Sequence, residues 1–155
     1  TAVTIGSKTI GEDAFRKNNI TKVILKNTVE SVGESAFYGG RADETGNEIT
    51  ELKIEDTIEN PSQLTTMGSH VFSDNAIEGT LTIPGAVEEI GKYAFSHNNI
   101  SGILVIPRSV EYIRSDAFYD NPITEVIIKN TEENVSIDGA FPSTANITYN
   151  PNYIE

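Results

Sequence analysis

The sequence predicts a solenoid, in which one short unit with a β-strand is repeated along the chain. The segment "AFRKNNITKV" at residues 14–23 returns as "AFSHNNISGI" at residues 94–103, with looser copies "AFYGG", "VFSDNAI" and "AFYDNPI" elsewhere. The phenylalanines follow one another in steps of 22, 35, 23, 23 and 23 residues, at Phe15, Phe37, Phe72, Phe95, Phe118 and Phe141. A constant period of about 20 to 50 residues is typical of a solenoid, whose units bury their apolar faces by stacking.

Within each period the apolar residues recur in the pattern I-x-x-(x)-L-x-I-P-x-x-V-x-x-I-G-x-x-A-F-x-x-N. The L-x-I part alternates and is rich in β-branched residues, so it predicts a short strand that stacks with its equivalents into one parallel sheet. The V-x-x-I-G part is interpreted as a turn whose glycine adopts a positive φ. Four units carry this glycine, at Gly11, Gly33, Gly68 and Gly91, whereas Arg114 replaces it in the fifth.

The x-x-A-F segment and the asparagine after it complete the unit. The segment is too short for an independent helix and predicts a single turn of 3₁₀ or α geometry, with Phe filling the centre of the stack. Asparagine recurs at the third position after Phe. Its amide can bond backbone groups that a tight turn leaves unpaired. The pattern therefore predicts a structural asparagine ladder, consisting of Asn18, Asn75, Asn98 and Asn121.

The segments "LTIPGAVEEIGKYAFSHNNI" (81–100) and "LVIPRSVEYIRSDAFYDNPI" (104–123) resemble the BspA-like class of leucine-rich repeats. The resemblance covers essentially the whole chain. It implies a right-handed leucine-rich-repeat solenoid of the α/β type, with the parallel strands on the concave face and short turns or 3₁₀ segments elsewhere. It also implies a bacterial, exported protein displayed at the cell surface, in a family associated with adhesion to host proteins and other cells.

The repeats predict one domain over residues 1–155, with about five units of 22–23 residues and partial units at both ends. Insertions at about 38–48 and 56–66 explain the single step of 35 residues, and they are either surface excursions or loops that contact a ligand. The last unit breaks the spacing, because Glu132 stands where valine is expected. We interpret that unit as a degenerate repeat near a cap or the approach to another segment, and the chain as a fragment of a longer protein.

Composition narrows the possible functions. The chain has 23 Asp and Glu against 11 Lys and Arg, a formal net charge of -12 and no cysteine. The negative charge disfavours nucleic acid, and no apolar run is long enough for direct insertion into a membrane. No motif of an enzyme, a metal site or a cofactor site is found. His97, in one column with Asp74 and Asp120, could form an acid–base or metal site, although an exposed charge contact is the simpler interpretation.

The outward positions of the predicted strands are the first candidates for a binding site, and they are Ile24, Lys53, Thr82, Ile103, Val105 and Ile127. Lys22 and Lys26 are expected to pair with Glu51 and Glu55 across neighbouring strands. The apolar residues of the later units would form an exposed patch, a feature that often marks a partner site. Ordinary strand propensity or contact with a neighbouring domain would also explain such a patch.

The sequence thus favours a non-catalytic protein-binding or adhesion module at the surface of a bacterial cell. Its expected partner is a host or neighbouring-cell protein, bound by a monomer without a cofactor. The first alternative is a structural spacer that displays other domains of the parent protein. A glycan-binding module is the second alternative, but it would require exposed aromatic rings on the strand face, where the pattern places no tyrosine.

Overall fold

The computed structural model describes residues 1–40, 45–137 and 139–153, which form a parallel β-solenoid of about six coils. Every strand pairing is parallel, as expected for equivalent segments of successive coils. The only helix in the described ranges is a 3₁₀ helix at Glu132–Asn134. The strands are β1 (Ala2–Ile5), β2 (Thr9–Ile10), β3 (Lys22–Leu25), β4 (Ser31–Val32), β5 (Glu51–Ile54), β6 (Thr66–Met67), β7 (Glu78–Gly79), β8 (Glu89–Ile90), β9 (Asn99–Ile100), β10 (Gly102–Ile106), β11 (Tyr112–Ile113), β12 (Ile123–Ile128) and β13 (Asn146–Tyr149).

Each coil contributes strands to more than one sheet. The L-x-I strands form two three-stranded sheets, with the orders β1-β3-β5 and β10-β12-β13. The segment interpreted as a turn, V-x-x-I-G, instead contains a second short strand in five coils, and these strands form a sheet with the order β11-β8-β6-β4-β2. A third pairing joins β7 to β9. The prediction of a turn before the glycine was therefore wrong, because adjacent coils hydrogen-bond along this side as well.

A continuous stack of phenylalanine rings forms the centre of the core. The ring centroids of successive coils lie 5.1 to 5.4 Å apart, in nearly parallel planes, from Phe15 to Phe141. The four central rings are fully buried, whereas the two terminal ones are only partly buried because each has a neighbour on one side. This stack confirms the register that the phenylalanine spacing predicted.

The turn around Ala and Phe is not helical, contrary to the prediction. It consists of two successive hydrogen-bonded turns, such as Ala14 N–H to the Gly11 carbonyl and Arg16 N–H to the Asp13 carbonyl. The residue two positions before each Phe has a positive φ, between 53° and 59°, and in four coils so does the residue two positions after it. A helix requires consecutive right-handed residues, so these left-handed positions exclude one.

The repeated glycines are needed for close packing and not for positive φ. None of the four has a left-handed backbone. A Cβ atom added at Gly91 would lie 2.5 Å from the Gly68 carbonyl carbon, and Gly33 and Gly68 are equally close to the backbone of the preceding coil. Nothing lies within 4 Å at Gly11, in the first coil. The glycine column therefore sets how closely the coils approach.

Two irregular units keep the core pattern through substitute residues. Leu64 lies within the predicted bounds of the second insertion, yet it is fully buried in the column otherwise occupied by valine. In the last coil, Val135 is buried in the core, whereas Glu132 begins the 3₁₀ helix and is exposed, so Glu132 does not replace valine in the core. The described extra residues of the second insertion, such as the exposed Ile58, leave the coil as a surface excursion. Residues 41–44 of the first insertion lie outside the described ranges.

The single sheet expected for the L-x-I strands is interrupted between β5 and the next coil. Gly79 and Gly102 are extra residues between the Ile and Leu positions of two adjacent coils, and both have a positive φ of 74° and 77°. The pairing of β10 with β12 shifts register at Gly102, as in a β-bulge. The coil of β5 has no such residue, and β5 does not pair with the bulged coil beside it, whereas β12, whose coil also lacks the extra residue, pairs with β10 across the register shift.

Candidate functional site

The structure places five of the six candidate residues in one row across the outward face. Ile24 is paired with Lys53 across β3 and β5, and Val105 is paired with Ile127 across β10 and β12. Thr82 reaches Val105 through an isolated bridge, so it continues the row across the interruption. Ile103 lies two residues before Val105 on β10 and begins a parallel row.

The exposure of these side chains varies. Lys53 and Thr82 are exposed, Ile24 and Val105 are half-buried, and Ile103 is 44% exposed. Ile127 is only 7% exposed, so the expectation that it forms part of an exposed apolar patch was wrong. It lies in the middle strand of its sheet, where Val105 of β10 and Thr148 of β13 flank it on both sides.

The expected ion pairs between the first coils are confirmed. The Lys22 Nζ atom lies 2.6 Å from a carboxylate oxygen of Glu51, and the Lys26 Nζ atom lies 2.9 Å from one of Glu55. The hydrogen bond from Lys26 lowers the pKa of the Glu55 carboxyl group. Lys53 lies between Glu51 and Glu55 in the sequence. Among the described residues, no carboxylate forms an ion pair with Lys53.

A groove opens where the strand sheet is interrupted. The groove has two parts, one between β5 and the segment at residues 80–83 and the other between that segment and β10. Lys53 lines the first part, Ile103 and Val105 line the second, and Thr80, Thr82, Pro107 and Lys129 line both. Leu52 and Ile54 of β5 are partly exposed in this groove. Their equivalents in β3 and β10, Val23, Leu25, Leu104 and Ile106, are at most 1% exposed. The interruption thus exposes apolar side chains that are otherwise buried.

The second insertion borders this groove and is tied to it by Asp56. One carboxylate oxygen of Asp56 accepts the Ser62 N–H at 2.9 Å, and the other accepts the Gly85 N–H at 3.0 Å. Between Asp56 and Ser62 the chain forms a tight turn in which Asn60 N–H donates to Thr57 Oγ1 at 3.0 Å. This turn holds Ile58 fully exposed at its tip. The loop is therefore a fixed rim of the groove with an apolar side chain at its end.

The asparagines form a structural ladder, as their spacing predicted. Asn98 Oδ1 accepts the Ile77 N–H of the preceding coil at 3.0 Å, and its Nδ2 donates to the Phe72, Phe95 and Ser96 carbonyls. Asn75 and Asn121 repeat the same arrangement one coil away. Asn18, in the first coil, only donates to the Arg16 carbonyl through its side chain.

Sequence reasoning missed one member of this ladder, Asn47. Its Oδ1 accepts the Asn18 and Ile20 N–H groups, and its Nδ2 donates to the Phe15 and Tyr38 carbonyls. The first insertion places Asn47 ten residues after Phe37 instead of three, so counting from Phe could not find it. Counting back from the next core isoleucine would have done so, because every ladder asparagine stands two residues before that isoleucine.

The histidines belong to exposed contacts on other sides of the solenoid. His97 Nδ1 lies 2.9 Å from an Asp120 carboxylate oxygen, while Asp74 is bonded by the Ser73 hydroxyl instead. The three side chains thus do not converge as a site. Within the described ranges, no group of three or more His, Asp or Glu residues is arranged to hold a metal ion. His70 stacks on the Tyr93 ring at 5.0 Å, so the two ring faces cover each other.

Comparison with known proteins agrees with this geometry. Residues 8–148 match the family model described as BspA type Leucine rich repeat region, in six copies. No curated protein and no solved structure matches the chain. No segment within residues 1–40, 45–137 and 139–153 forms a helix with the length and hydrophobicity required for a membrane crossing.

Proposed function

Because the chain belongs to the BspA-type leucine-rich-repeat family, we propose that it is a non-catalytic module that binds a protein partner at the surface of a bacterial cell. Members of this family typically occur in extracellular or surface proteins. The expected partner is a host or neighbouring-cell protein, bound by a monomeric solenoid without a cofactor. Adhesion is then the biological role that such binding would serve.

The groove at the interrupted sheet is the observation that carries this proposal. A regular solenoid face would cover its apolar core side chains, but here Leu52 and Ile54 remain partly exposed in one part of the groove, and Ile103 and Val105 line the other part, across the segment at residues 80–83. Exposed apolar surface rimmed by polar groups is characteristic of partner sites. Charged and polar side chains, including Lys53 and Thr82, form that rim.

Binding to a panel of extracellular-matrix proteins, serum proteins and glycans tests the proposal. The variant Ile103→Glu/Val105→Glu introduces two charges into the groove. Thr4→Glu is the matched control, since Thr4 is exposed on the same face and pairs with Ile24, away from the groove. We expect a protein ligand whose affinity falls at least about tenfold in the groove variant and stays unchanged in the control, because a buried unpaired charge is costly.

The alternative of a structural spacer predicts a different result. A spacer would bind none of the panel while its thermal unfolding and circular dichroism confirm the fold. Binding to a glycan alone, with no protein ligand, would favour the glycan-binding alternative. Equal loss of affinity in the groove variant and in Thr4→Glu would show that the site lies elsewhere.

A further inference from the structure

We propose that the chain has a glycan site, separate from the groove, which takes a neutral pyranose unit. The site is a cavity of about 600 Å³ between the coil that contains β11 and the next coil, which contains β12 and the 3₁₀ helix. Small-molecule sites usually have volumes of about 300 to 1,000 Å³. The proposal depends on three features of this cavity: an irregular wall, an open aromatic face and polar groups without partners.

The first feature is the irregular path of the chain after β12. In the coil of β11, Val110 follows Ile106 by four residues, whereas in the next coil the next buried valine, Val135, follows Ile128 by seven. The 3₁₀ helix at Glu132–Asn134 lies in this longer segment. None of the helix residues is buried, so the segment runs along the surface and forms one wall of the cavity.

Hydrogen bonds to the preceding coil hold both ends of this segment. Asn130 Nδ2 donates to the Arg108 carbonyl at 3.1 Å, and Ser136 N–H donates to the Glu111 carbonyl at 2.9 Å. The cavity between these bonds thus exists while the two coils remain bonded. It opens at the surface, where most of its lining residues are exposed. A ligand would therefore occupy it without separating the coils.

The second feature is the ring of Tyr112, which is 43% exposed at the start of β11. On one face of the ring, the guanidinium carbon of Arg114 lies 4.8 Å from the ring centroid, and Arg114 Nε donates to a Glu89 carboxylate oxygen at 2.8 Å. Glu89 stands beside Tyr112 in the preceding coil, so this face is turned away from the cavity, whose lining comes from the two later coils. On the other side Tyr112 is bridged to Ser136, whose side chain is too small to cover a ring. The ring therefore offers an open face to the cavity.

An open aromatic face suits a sugar ring. A pyranose has a face of C–H bonds, and the negative face of an aromatic ring attracts the positive ends of those bonds. The other strands of this sheet carry polar residues in the row of Tyr112, namely Thr9, Ser31, Thr66 and Glu89. Tyr112 thus supplies the only ring among the described strands of that row. The pattern placed no tyrosine on the L-x-I strands, and the second sheet, which carries Tyr112, was not predicted.

The third feature is the set of unpaired polar groups in the lining. The carboxylates of Glu111 and Glu133 and the side-chain oxygen of Asn134 accept no hydrogen bond from the described residues. Arg108 donates through one nitrogen, Nη2, to the Pro151 carbonyl, and its other guanidinium N–H groups are unpaired within the same part of the chain. Acceptors and donors thus line one cavity, and the hydroxyl groups of a sugar can bond both.

The charges of the cavity favour a neutral sugar. Glu111 and Glu133, in a chain with a formal net charge of -12, would repel the carboxylate or sulfate group of an acidic sugar. A basic side chain would lie close to Arg108 in the lining and to Arg114 over the Tyr112 ring, and both would repel it. A pyranose without charge meets neither repulsion.

The test is binding of the whole chain to an array of neutral, sialylated and sulfated oligosaccharides, with an oligolysine peptide as a cationic probe. We expect binding to one or more neutral oligosaccharides, with an affinity that changes little with added salt. The affinity should fall about fivefold to tenfold in Tyr112→Ala, because the stacking face is lost, and should be kept in Tyr112→Phe. The matched control is Tyr119→Ala, since Tyr119 is 49% exposed and does not line the cavity.

NMR chemical shifts of the unchanged protein then locate the bound oligosaccharide. Its addition should shift the backbone amides of residues 108–112 and 130–136. The inference would be overturned by binding of acidic oligosaccharides or oligolysine alone, by no binding at all, by equal losses in Tyr112→Ala and Tyr119→Ala, or by shifts elsewhere. Ile103→Glu/Val105→Glu should bind the oligosaccharide normally, so loss of a protein ligand in that variant tests the proposed function separately.

Discussion

The variant Asn98→Ala tests the structural role of the asparagine ladder. Asn98 is 6% exposed, and its amide makes four hydrogen bonds to the backbone of two coils. Truncation leaves the Ile77 N–H buried without an acceptor, which costs about 1 to 3 kcal/mol. Loss of the bonds to the three carbonyls adds roughly 1 kcal/mol. We expect the free energy of unfolding to fall by about 2 to 4 kcal/mol.

Two further variants make this prediction specific. Asn18→Ala removes an exposed side chain whose amide donates only to its own coil, so a loss below about 1 kcal/mol is expected. Asn47→Ala should resemble Asn98→Ala, because its amide accepts the Asn18 and Ile20 N–H groups and donates to two carbonyls. This expectation follows from the hydrogen bonds of Asn47 and does not depend on its irregular position in the sequence.

Equilibrium urea unfolding, followed by circular dichroism, measures all three values. The slope of the transition should be the same in each protein, because a change in slope would indicate that the coils no longer unfold together. An Asn98→Ala protein within about 0.5 kcal/mol of the wild type would refute the ladder, given the cost of a buried unpaired N–H. Equal losses in Asn18→Ala and Asn98→Ala would also refute it, since Asn18 makes none of the contacts to a preceding coil that Asn98 makes.

Three further predictions concern the core, the coil spacing and one phenol. Phe95→Ala should reduce the unfolding free energy by about 3 to 5 kcal/mol, and an unchanged thermal midpoint would refute the core assignment. Gly91→Ala should cost about 1 to 3 kcal/mol through overlap with the preceding coil, whereas Gly11→Ala should be neutral or stabilising in the same urea assay. The hydrogen bond to Asp116 raises the pKa of Tyr93. The stability that this bond contributes is present below the ordinary pKa of tyrosine and is lost as the pH rises through the raised pKa. Ultraviolet titration, with Tyr93→Phe as the reference, should show that Tyr93 ionises at a higher pH than an ordinary tyrosine, and Asp116→Asn should remove this difference.

The sequence predicted the features that each unit repeats. Phe37, Phe72 and Phe95 lie in one stack because a ring must fill the same central place in every coil, and this demand leaves a visible period. The Lys22–Glu51 and Lys26–Glu55 pairs followed from the same register. Side-chain requirements of this kind are visible in a single sequence.

Backbone geometry was harder to predict. The glycines suggested positive φ, yet Gly33, Gly68 and Gly91 are needed because a neighbouring coil lies too close for a Cβ atom. Most left-handed residues in the turns around the phenylalanines are instead Asp, Ser, His, Tyr and Lys, residue types that do not mark this conformation as glycine does. A second strand formed where a turn was expected, because two paired residues are too few to show alternation.

The candidate site depends on differences between neighbouring coils, which a consensus pattern averages away. The extra Gly79 and Gly102 each appear as an optional position in the repeat, and the pattern does not show that the sheet is interrupted beside Gly79 while β10 and β12 still pair across the shift at Gly102. Ile127 resembled Ile103 in the pattern, but the strand on its far side covers it. The position of the groove therefore required the stacked structure.

Two glycines near the ends of the first insertion, Gly39 and Gly46, bring the chain close together there. A Cβ atom at Gly39 would overlap the Asp74 carbonyl, and one at Gly46 would overlap the Gly39 carbonyl, so the chain leaves and re-enters the coil through a narrow neck. Asn47 follows at once and restores the ladder. We therefore expect the close approaches at Gly39 and Gly46, and the ladder bonds of Asn47, to persist when the sequence between the two glycines is changed. Peptides inserted at this neck could be displayed on an otherwise unchanged solenoid, and new binding specificities could evolve there in the same way.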